Sequence, residues 1–244
     1  MGQEATSRPL PLLEGLVYPI APMGTFIASR ANRNKISVLL PVGRLRPRMP
    51  TSKIVAAWEA IELELRAQFP AVLESLAPPA RATEIDQIEE VFHVPLPQDF
   101  RESLLRHNGQ RGSHWTRALV NGADLLGVEE IGKYWQMWAL VVGDSNEADS
   151  SSDVSEEIAT DVIWHPKWIP FAVTGSNMSY VIDLAPRSKG SVGQVFTHAS
   201  GSPGEVLARS YTEWLEGLAS KLVRKSYNDE AVKSFGTPYF RWRP

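Results

Sequence analysis

The order in which helix-like and strand-like patterns follow one another is the feature of this chain that most restricts its fold. Apolar residues recur at helical spacing in residues 51–105, short strand-like runs separated by turn residues follow in 168–198, and helical spacing returns before residue 225. Helices, then strands, then a helix predict an α+β domain with N-terminal helices, an antiparallel or mixed central sheet and a C-terminal helix packed on that sheet. The clearest helical stripes are Ile54, Trp58, Ile61, Leu65 and Phe69 near the start, and Leu207, Tyr211, Trp214, Leu218 and Leu222 near the end.

Capping residues, prolines and an Asn-Gly step indicate where these helices begin and end. The first helix is expected to end at Pro70. The last is expected to begin at Ser202, because Ser202-Pro203-Gly204-Glu205 has the spacing of a capping box with proline at the first helical position. The remaining signals are a cap at Thr51 or Ser52, a start at Thr83, Pro97 in the first turn of a third helix and a stop at Asn108–Gly109.

Three runs in the second half of the chain predict strands. Trp168–Val173 and Tyr180–Leu184 flank a turn-rich connector and predict a hairpin, and Gln194–His198 predicts a third short strand. Val128–Val142 fits either a helix or a strand. No internal repeat is visible in the sequence.

Composition divides the chain into three parts. Residues 1–50 form a basic, Pro/Arg-rich and largely irregular extension, residues 51–225 form the predicted α+β domain, and residues 226–244 form a C-terminal tail. Because Met49 resembles a natural start, residues 1–48 are either an over-extended reading frame or a basic interaction tail. The sequence leaves open whether they belong to the native product.

Charge is distributed unevenly among these parts. Formal net charge is +5 in residues 1–50, −12 in 51–220 and +4 in 221–244. An acidic central domain disfavours nucleic-acid binding and favours a basic partner. The acidic stretch 144–162 contains no Lys or Arg, and it is either a solvated loop or an acidic docking surface.

The motifs of common catalytic and cofactor sites are missing from the sequence. There is no cysteine, no Walker lysine or G-x-G-x-x-G loop, no G-x-S-x-G elbow and no paired histidine spacing for a metal. No apolar run approaches the roughly 18 residues of a membrane span. We therefore expect a protein without enzymatic activity, cofactor or metal, which binds neither nucleic acid nor membrane and resides in the cytoplasm.

Two ordered sets of residues match one known family. The first runs from a helix into Val94-Pro-Leu-Pro-Gln-Asp-Phe100 and ends in His107-Asn-Gly109; the second consists of Trp168-Ile-Pro-Phe-Ala172, Asp183, Gly193-Gln-Val195 and the helix around Ser210-Tyr-x-x-Trp-Leu215. In this order over about residues 51–220, they resemble the SUKH superfamily, and within it the Smi/Knr (cell-wall-assembly regulator-like) family. The positions that carry the pattern, each expected to be structural, are Pro97, Asp99, Gly109, Trp168, Pro170, Asp183, Gly193, Gln194 and Trp214.

The resemblance implies a non-enzymatic protein-binding function. Bacterial members of the superfamily neutralise toxins, many of them nucleases, and fungal members act as scaffolds in cell-wall signalling. The first hypothesis is an immunity protein that binds a cognate basic toxin, and the alternative is a scaffold or regulatory adaptor without a toxin partner. The candidate contacts are Asp144, Glu147, Asp149, Asp153, Glu156 and Glu157, with Trp115 and Trp135 as aromatic anchors.

Overall fold

The computed structural model describes the domain that follows the basic extension. Every described residue lies in one compact unit of the chain, Met49–Pro244. The described residues are 51–111, 118–143, 155–175, 178–199, 201–228, 232–234 and 236–238.

Six helices lie in the described part of the chain. Ser52 caps the first, because its Oγ accepts a hydrogen bond from the Val55 amide (3.2 Å). The predicted stop before Pro70 is confirmed, and Pro70 itself begins a further short helix. The bounds are α1 Lys53–Gln68, α2 Pro70–Ser75, α3 Ala82–Phe92, α4 Gln98–Leu104, α5 Val128–Val142 and α6 Tyr211–Val223.

The sheet is an antiparallel meander of five strands in the order β1-β2-β3-β4-β5, so each strand pairs with its neighbours in sequence. The predicted hairpin of Trp168–Val173 and Tyr180–Leu184 is confirmed as β2 and β3. Pro170 lies inside β2, and the register shifts between Pro170 and Ala172, as expected where a residue lacks the amide that a regular ladder needs. The bounds are β1 Ala123–Leu125, β2 Trp168–Thr174, β3 Met178–Asp183, β4 Gln194–Ala199 and β5 Ser202–Ala208.

One face of the sheet carries the main hydrophobic core. Phe171 packs edge-on against Trp214 of α6, with ring centroids 4.8 Å apart, and against Tyr211 at 5.3 Å. α6 also packs against α1, whose stripe from Ile54 to Leu65 is buried. The predicted α+β architecture, with a C-terminal helix on the sheet, is therefore confirmed.

The opposite face carries a smaller, aromatic core. It consists of side chains that alternate with those of the main core along β2, β3 and β4, covered by Trp138 of α5 and by residues 155–166. Its buried members are Trp138, Ile158, Trp164, Trp168, Val181 and Phe196.

The predicted start of the last helix at Ser202 is wrong. Residues Ser202–Ala208 form β5, and α6 begins at Tyr211 after Ser210, whose Oγ accepts from the Glu213 amide (3.1 Å). Two Ser-x-x-Glu spacings lie eight residues apart, and pairing with β4 determines which one caps a helix. A Cβ on Gly204 would lie 2.3 Å from the Thr197 Oγ1, so this glycine allows the two strands to approach closely.

The second predicted helix also begins one position earlier than expected. α3 starts at Ala82 rather than Thr83, and the side chain of Glu84, the third residue of the helix, supplies the hydrogen bond at its start. The Glu84 Oε2 accepts from the Arg81 amide (2.7 Å). A carboxylate at this position suits the positive end of the helix dipole.

Candidate functional site

Five of the eight predicted contact residues lie outside the described residues: Trp115, Asp144, Glu147, Asp149 and Asp153. Three are described: Glu156, Glu157 and Trp135. Their proposed role in binding stays a prediction. The structure gives their surroundings.

The described end of the acidic stretch, residues 155–161, is fixed on the loop between β3 and β4. The Glu157 carbonyl accepts from the Gln194 Nε2 (2.8 Å) and from the Arg187 amide (3.1 Å), and the Glu156 carbonyl accepts from the Lys189 amide (3.0 Å). A family-pattern residue, Gln194, therefore holds the backbone of the acidic segment. This part of the stretch is attached by specific hydrogen bonds and is more than a solvated loop.

Ion pairs reduce the charge that this segment presents. Glu156 pairs with Lys189, and Asp161 pairs with Arg187, whose hydrogen bond lowers the pKa of the Asp161 carboxyl. Both pairs are exposed, so each contributes little to stability. Glu157 is exposed and forms no ion pair with another described residue. Of the described candidates, it is the carboxylate most open to a partner.

Three family-pattern residues meet beneath this segment around the carboxylate of Asp183, which ends β3. Asp183 is fully buried and accepts from the Trp168 Nε1 (3.2 Å), the Ala185 amide (2.9 Å) and the Gln194 Nε2 (3.0 Å). Burial raises the pKa of this carboxyl, and the hydrogen bonds oppose the shift. The cluster joins β2, β3 and β4 at one end of the sheet.

The other family-pattern polar residues also hold elements together. Asp99 of α4 accepts from both the amide (2.9 Å) and the Oγ1 (2.8 Å) of Thr212. A carboxylate from α4 therefore caps α6, while Pro97 occupies the position before α4 and Trp214 lies in the main core. Asp99, which was expected to be structural, therefore caps a helix that begins more than a hundred residues later.

The His107-Asn108-Gly109 step fixes the beginning of α5. The Asn108 Oδ1 accepts from the Val128 amide (2.8 Å), and His107 lies between the Ala77 carbonyl (3.2 Å) and the Glu62 Oε1 (2.9 Å). Gly109 has φ +74°, and a Cβ there would lie 2.3 Å from the Gly127 nitrogen. Only glycine fits this approach without displacement of the backbone.

Trp135, the described aromatic candidate, is half-buried and makes specific contacts inside the fold. Its Nε1 donates to the Pro166 carbonyl (2.9 Å), and its ring lies 5.0 Å from that of Phe92. The side chain therefore bridges α3, α5 and the segment before β2. A partner can reach part of it without replacing these contacts.

His198 lies in the aromatic core. It is fully buried, its ring lies edge-on to Trp138 (4.9 Å) and Trp164 (5.2 Å), and its Nε2 donates to the Ile163 carbonyl (2.9 Å). Burial lowers the pKa of His198, with the carbonyl acting in the opposite direction. The neutral Nε2–H form is therefore favoured, and the ring packs as part of the core.

The described residues were also compared with the requirements of a metal site and of a membrane-spanning helix. Among them, no three His, Asp or Glu side chains come together in a way that could hold a metal ion. None of the described helices is long and apolar enough to cross a membrane.

Comparison with known proteins identifies a family and several relatives. The model of the SMI1 / KNR4 family (SUKH-1) matches residues 79–217, more than half of the chain. The chain is 25% identical to the cell wall biosynthesis/cell cycle regulator smi1 of Schizosaccharomyces pombe, over 91% of this chain and 48% of that protein. It is 24% identical to a KNR4/SMI1 homolog of Yarrowia lipolytica, over 73% of this chain and 32% of the relative.

A third relative is the glucan synthesis regulatory protein of Neurospora crassa, which is 24% identical over 69% of this chain and 38% of the relative. The chain spans about half or less of the length of these curated relatives.

Proposed function

Because the chain belongs to the SMI1 / KNR4 family (SUKH-1), we propose that it is a regulatory adaptor that acts by binding other proteins and catalyses no reaction. The observation that carries the proposal is the family match, together with relatives named for the regulation of cell-wall biosynthesis and of glucan synthesis. The process it regulates is proposed to be cell-wall assembly. The cytoplasmic location expected from the cysteine-free sequence is part of the same proposal.

The use of the family-pattern residues supports a binding function. Asp183, Asp99 and His107 are polar members of the family motifs, and each is engaged in hydrogen bonds that hold elements together. Residues used in this way suit a scaffold, whose exposed surfaces are left to bind partners. Function then resides in exposed residues, which are free to differ between relatives.

A complementation experiment tests the proposed process. The chain would be expressed in Schizosaccharomyces pombe cells that lack their smi1 relative, and growth under a cell-wall stain would be scored. We expect partial restoration of growth. As a control, the Gly109→Ala chain, which should be strongly destabilised, would be expressed at matched messenger levels and should restore less growth. Equal growth with and without the wild-type chain would contradict the cell-wall proposal.

Toxin neutralisation is the second candidate, and one observation favours it. The net charge of −12 in residues 51–220 suits a basic toxin, because opposite charge accelerates association. Its support is weaker, since the relatives above are named for regulation or as homologues. Any toxin domain found encoded beside the gene would be co-expressed with the chain in a bacterial host. Restored growth would favour immunity, and unrelieved toxicity would count against it.

A further inference from the structure

We infer that the groove between α3 and the first turn of α5 is the docking site for a segment of a partner protein that places a Lys or Arg beside an apolar side chain. This inference rests on the proposed function, since it assigns the adaptor a binding surface and the partner a chemistry. Neither the groove nor any of its residues was predicted from the sequence to bind a partner.

The groove results from the way the two helices cross. At the crossing, Gly132 of α5 faces Ile88 of α3, and a Cβ on Gly132 would lie 2.7 Å from the Ile88 Cδ1. This close approach brings the first turn of α5 beside one face of α3. Between them lies an open cavity of about 450 Å³, within the range of sites that bind small molecules or side chains.

The floor of the groove is apolar. Ile88 and Val128 form the base and are almost fully buried, whereas Val91 is 42% exposed. Val91 therefore lies on the open side of the groove, away from the core cluster that includes Ile88. An apolar side chain of a partner could cover Val91 and remove this surface from water.

The rim of the groove is acidic. Among the described residues, its lining includes the carboxylates of Glu84, Glu129 and Glu130 and no Lys or Arg. Glu84 pairs with Arg81 and Glu129 with Lys133 outside the lining, and both pairs are exposed and weak. Glu130 forms no ion pair with another described residue. The rim therefore attracts a cation.

The helix N-terminus at the groove does not reverse this preference. A free helix N-terminus attracts anions, but the Val128 amide already donates to the Asn108 Oδ1, and Glu129 and Glu130 in the first turn oppose the dipole. An acidic peptide or a phosphate would meet three carboxylates. The net charge of −12 in residues 51–220 also draws a basic partner toward the domain over a longer range.

Peptide selection followed by a binding measurement tests the inference. A displayed library of random peptides of about 12 residues would be selected on the purified full chain, and the recovered peptides would be synthesised with a fluorophore for anisotropy. The groove variant is Val91→Ser with Glu129→Gln and Glu130→Gln. The matched control is Val223→Ser with Glu59→Gln and Glu74→Gln, which removes the same groups from exposed positions elsewhere.

We expect recovered peptides to be enriched in Lys or Arg next to an apolar residue. They should bind the groove variant at least about tenfold more weakly and the control within about twofold of the wild type. Affinity for the wild type should fall between about 50 and 300 mM salt. Circular dichroism melting of both variants establishes that they are folded.

Three results would overturn the inference: recovery of no peptide, recovery of peptides without basic enrichment, or equal binding to the groove variant. A host partner that binds the wild type and the groove variant equally would also contradict the inference about the groove, but it would leave the proposed adaptor function standing. If the complementation test failed but selective peptide binding were retained, the proposed role in cell-wall assembly would be contradicted. The groove would still stand as a binding site.

Discussion

Gly109 and Gly122 allow two effects of a side chain on stability to be separated: steric clash with neighbouring atoms and strain from a positive φ. Both have φ +74°, but a Cβ on Gly109 would meet backbone atoms of the loop before α5, whereas a Cβ on Gly122 would meet nothing within 4 Å. The positive φ alone strains a side chain modestly, and a clash with immobile backbone destabilises the fold much more.

We therefore expect Gly109→Ala to lower the free energy of unfolding by roughly 3 kcal/mol or more, and Gly122→Ala by about 1 kcal/mol. Urea denaturation of both variants measures the difference. Equal losses would mean that the loop before α5 can move away from position 109, and that the close approach is not rigid.

His198 makes stability depend on pH in a predictable direction. Because burial lowers its pKa below the ordinary value of 6.5, the unfolded chain binds more protons than the folded chain just below that pH. Stability is therefore full above about pH 6.5 and is lost as pH falls toward the pKa of the folded state. His165, whose pKa burial also lowers, contributes in the same direction.

We expect His198→Gln, which keeps a donor for the Ile163 carbonyl, to flatten the fall in unfolding free energy between about pH 7 and 5. The slope of the unfolding free energy against pH is the quantity to compare, because the loss of ring contacts lowers the unfolding free energy at every pH. His165→Gln should reduce the part of this pH dependence that remains after His198→Gln. An unchanged slope in the double variant would exclude both histidines as its source.

The helix α6 depends on a cap from another element. Ser210 satisfies the Glu213 amide, and Asp99 of α4 satisfies the Thr212 amide and hydroxyl. These are adjacent amides of the same turn, so the two contributions are expected to be coupled. The first turn of α6 thus connects the helical N-terminal half of the domain to the last helix.

Asp99→Ala is expected to cost about 1–2 kcal/mol and Ser210→Ala about 1 kcal/mol, and the double variant should differ from their sum because the two caps share one helix turn. Chemical denaturation measures all three. Asp99→Asn retains an acceptor oxygen and should cost less than Asp99→Ala. If Asp99→Ala unfolds at the same urea concentration as the wild type, the carboxylate does not stabilise α6.

At the level of elements, local patterns predicted most of the helices and the β2–β3 hairpin, because each forms from neighbouring residues. They failed at β5, where Ser202-x-x-Glu205 and Ser210-x-x-Glu213 have the same spacing. The choice between these is made by pairing with β4, which no local spacing records. Asp99 was expected to be structural, but the helix that it caps could not be predicted, since its partner Thr212 is distant in sequence.

At the level of the whole molecule, the groove between α3 and α5 could not be found from the sequence. Glu84, Ile88 and Val91 share a helical face, but that face would be interpreted as solvated or as core without knowledge of what packs beside it. What packs beside that face is determined by the close crossing of α3 and α5 at Gly132, and this crossing is a result of tertiary packing. The charge of −12 in residues 51–220, by contrast, follows from composition and indicates the same class of partner.

The residues after α6 take part in the fold of the domain. The Tyr227 ring lies edge-on to the buried Phe69 (5.3 Å), Val232 packs against the main core and Thr237 is buried. The domain boundary predicted at residue 225 is therefore open to a direct test by truncation.

A chain that ends at Lys225 is expected to lose roughly 2–4 kcal/mol of unfolding free energy, because Phe69 becomes exposed and an aromatic pair is lost. Tyr227→Ala in the full chain should account for about half of this loss. Thermal and urea denaturation measure both. Identical stability of the truncated and full chains would place the boundary at residue 225 after all.

The link between Asp99 and Thr212 also has a consequence for synthesis on the ribosome. The ribosome adds about 5–20 residues per second, so Thr212 is made roughly 6 to 23 seconds after Asp99. Until α6 emerges, the apolar faces of α1 and of the strands that α6 will cover remain accessible to chaperones and proteases. Folding of this domain is therefore tied to release of nearly its whole length, and slowing translation after β5 should increase its capture by chaperones.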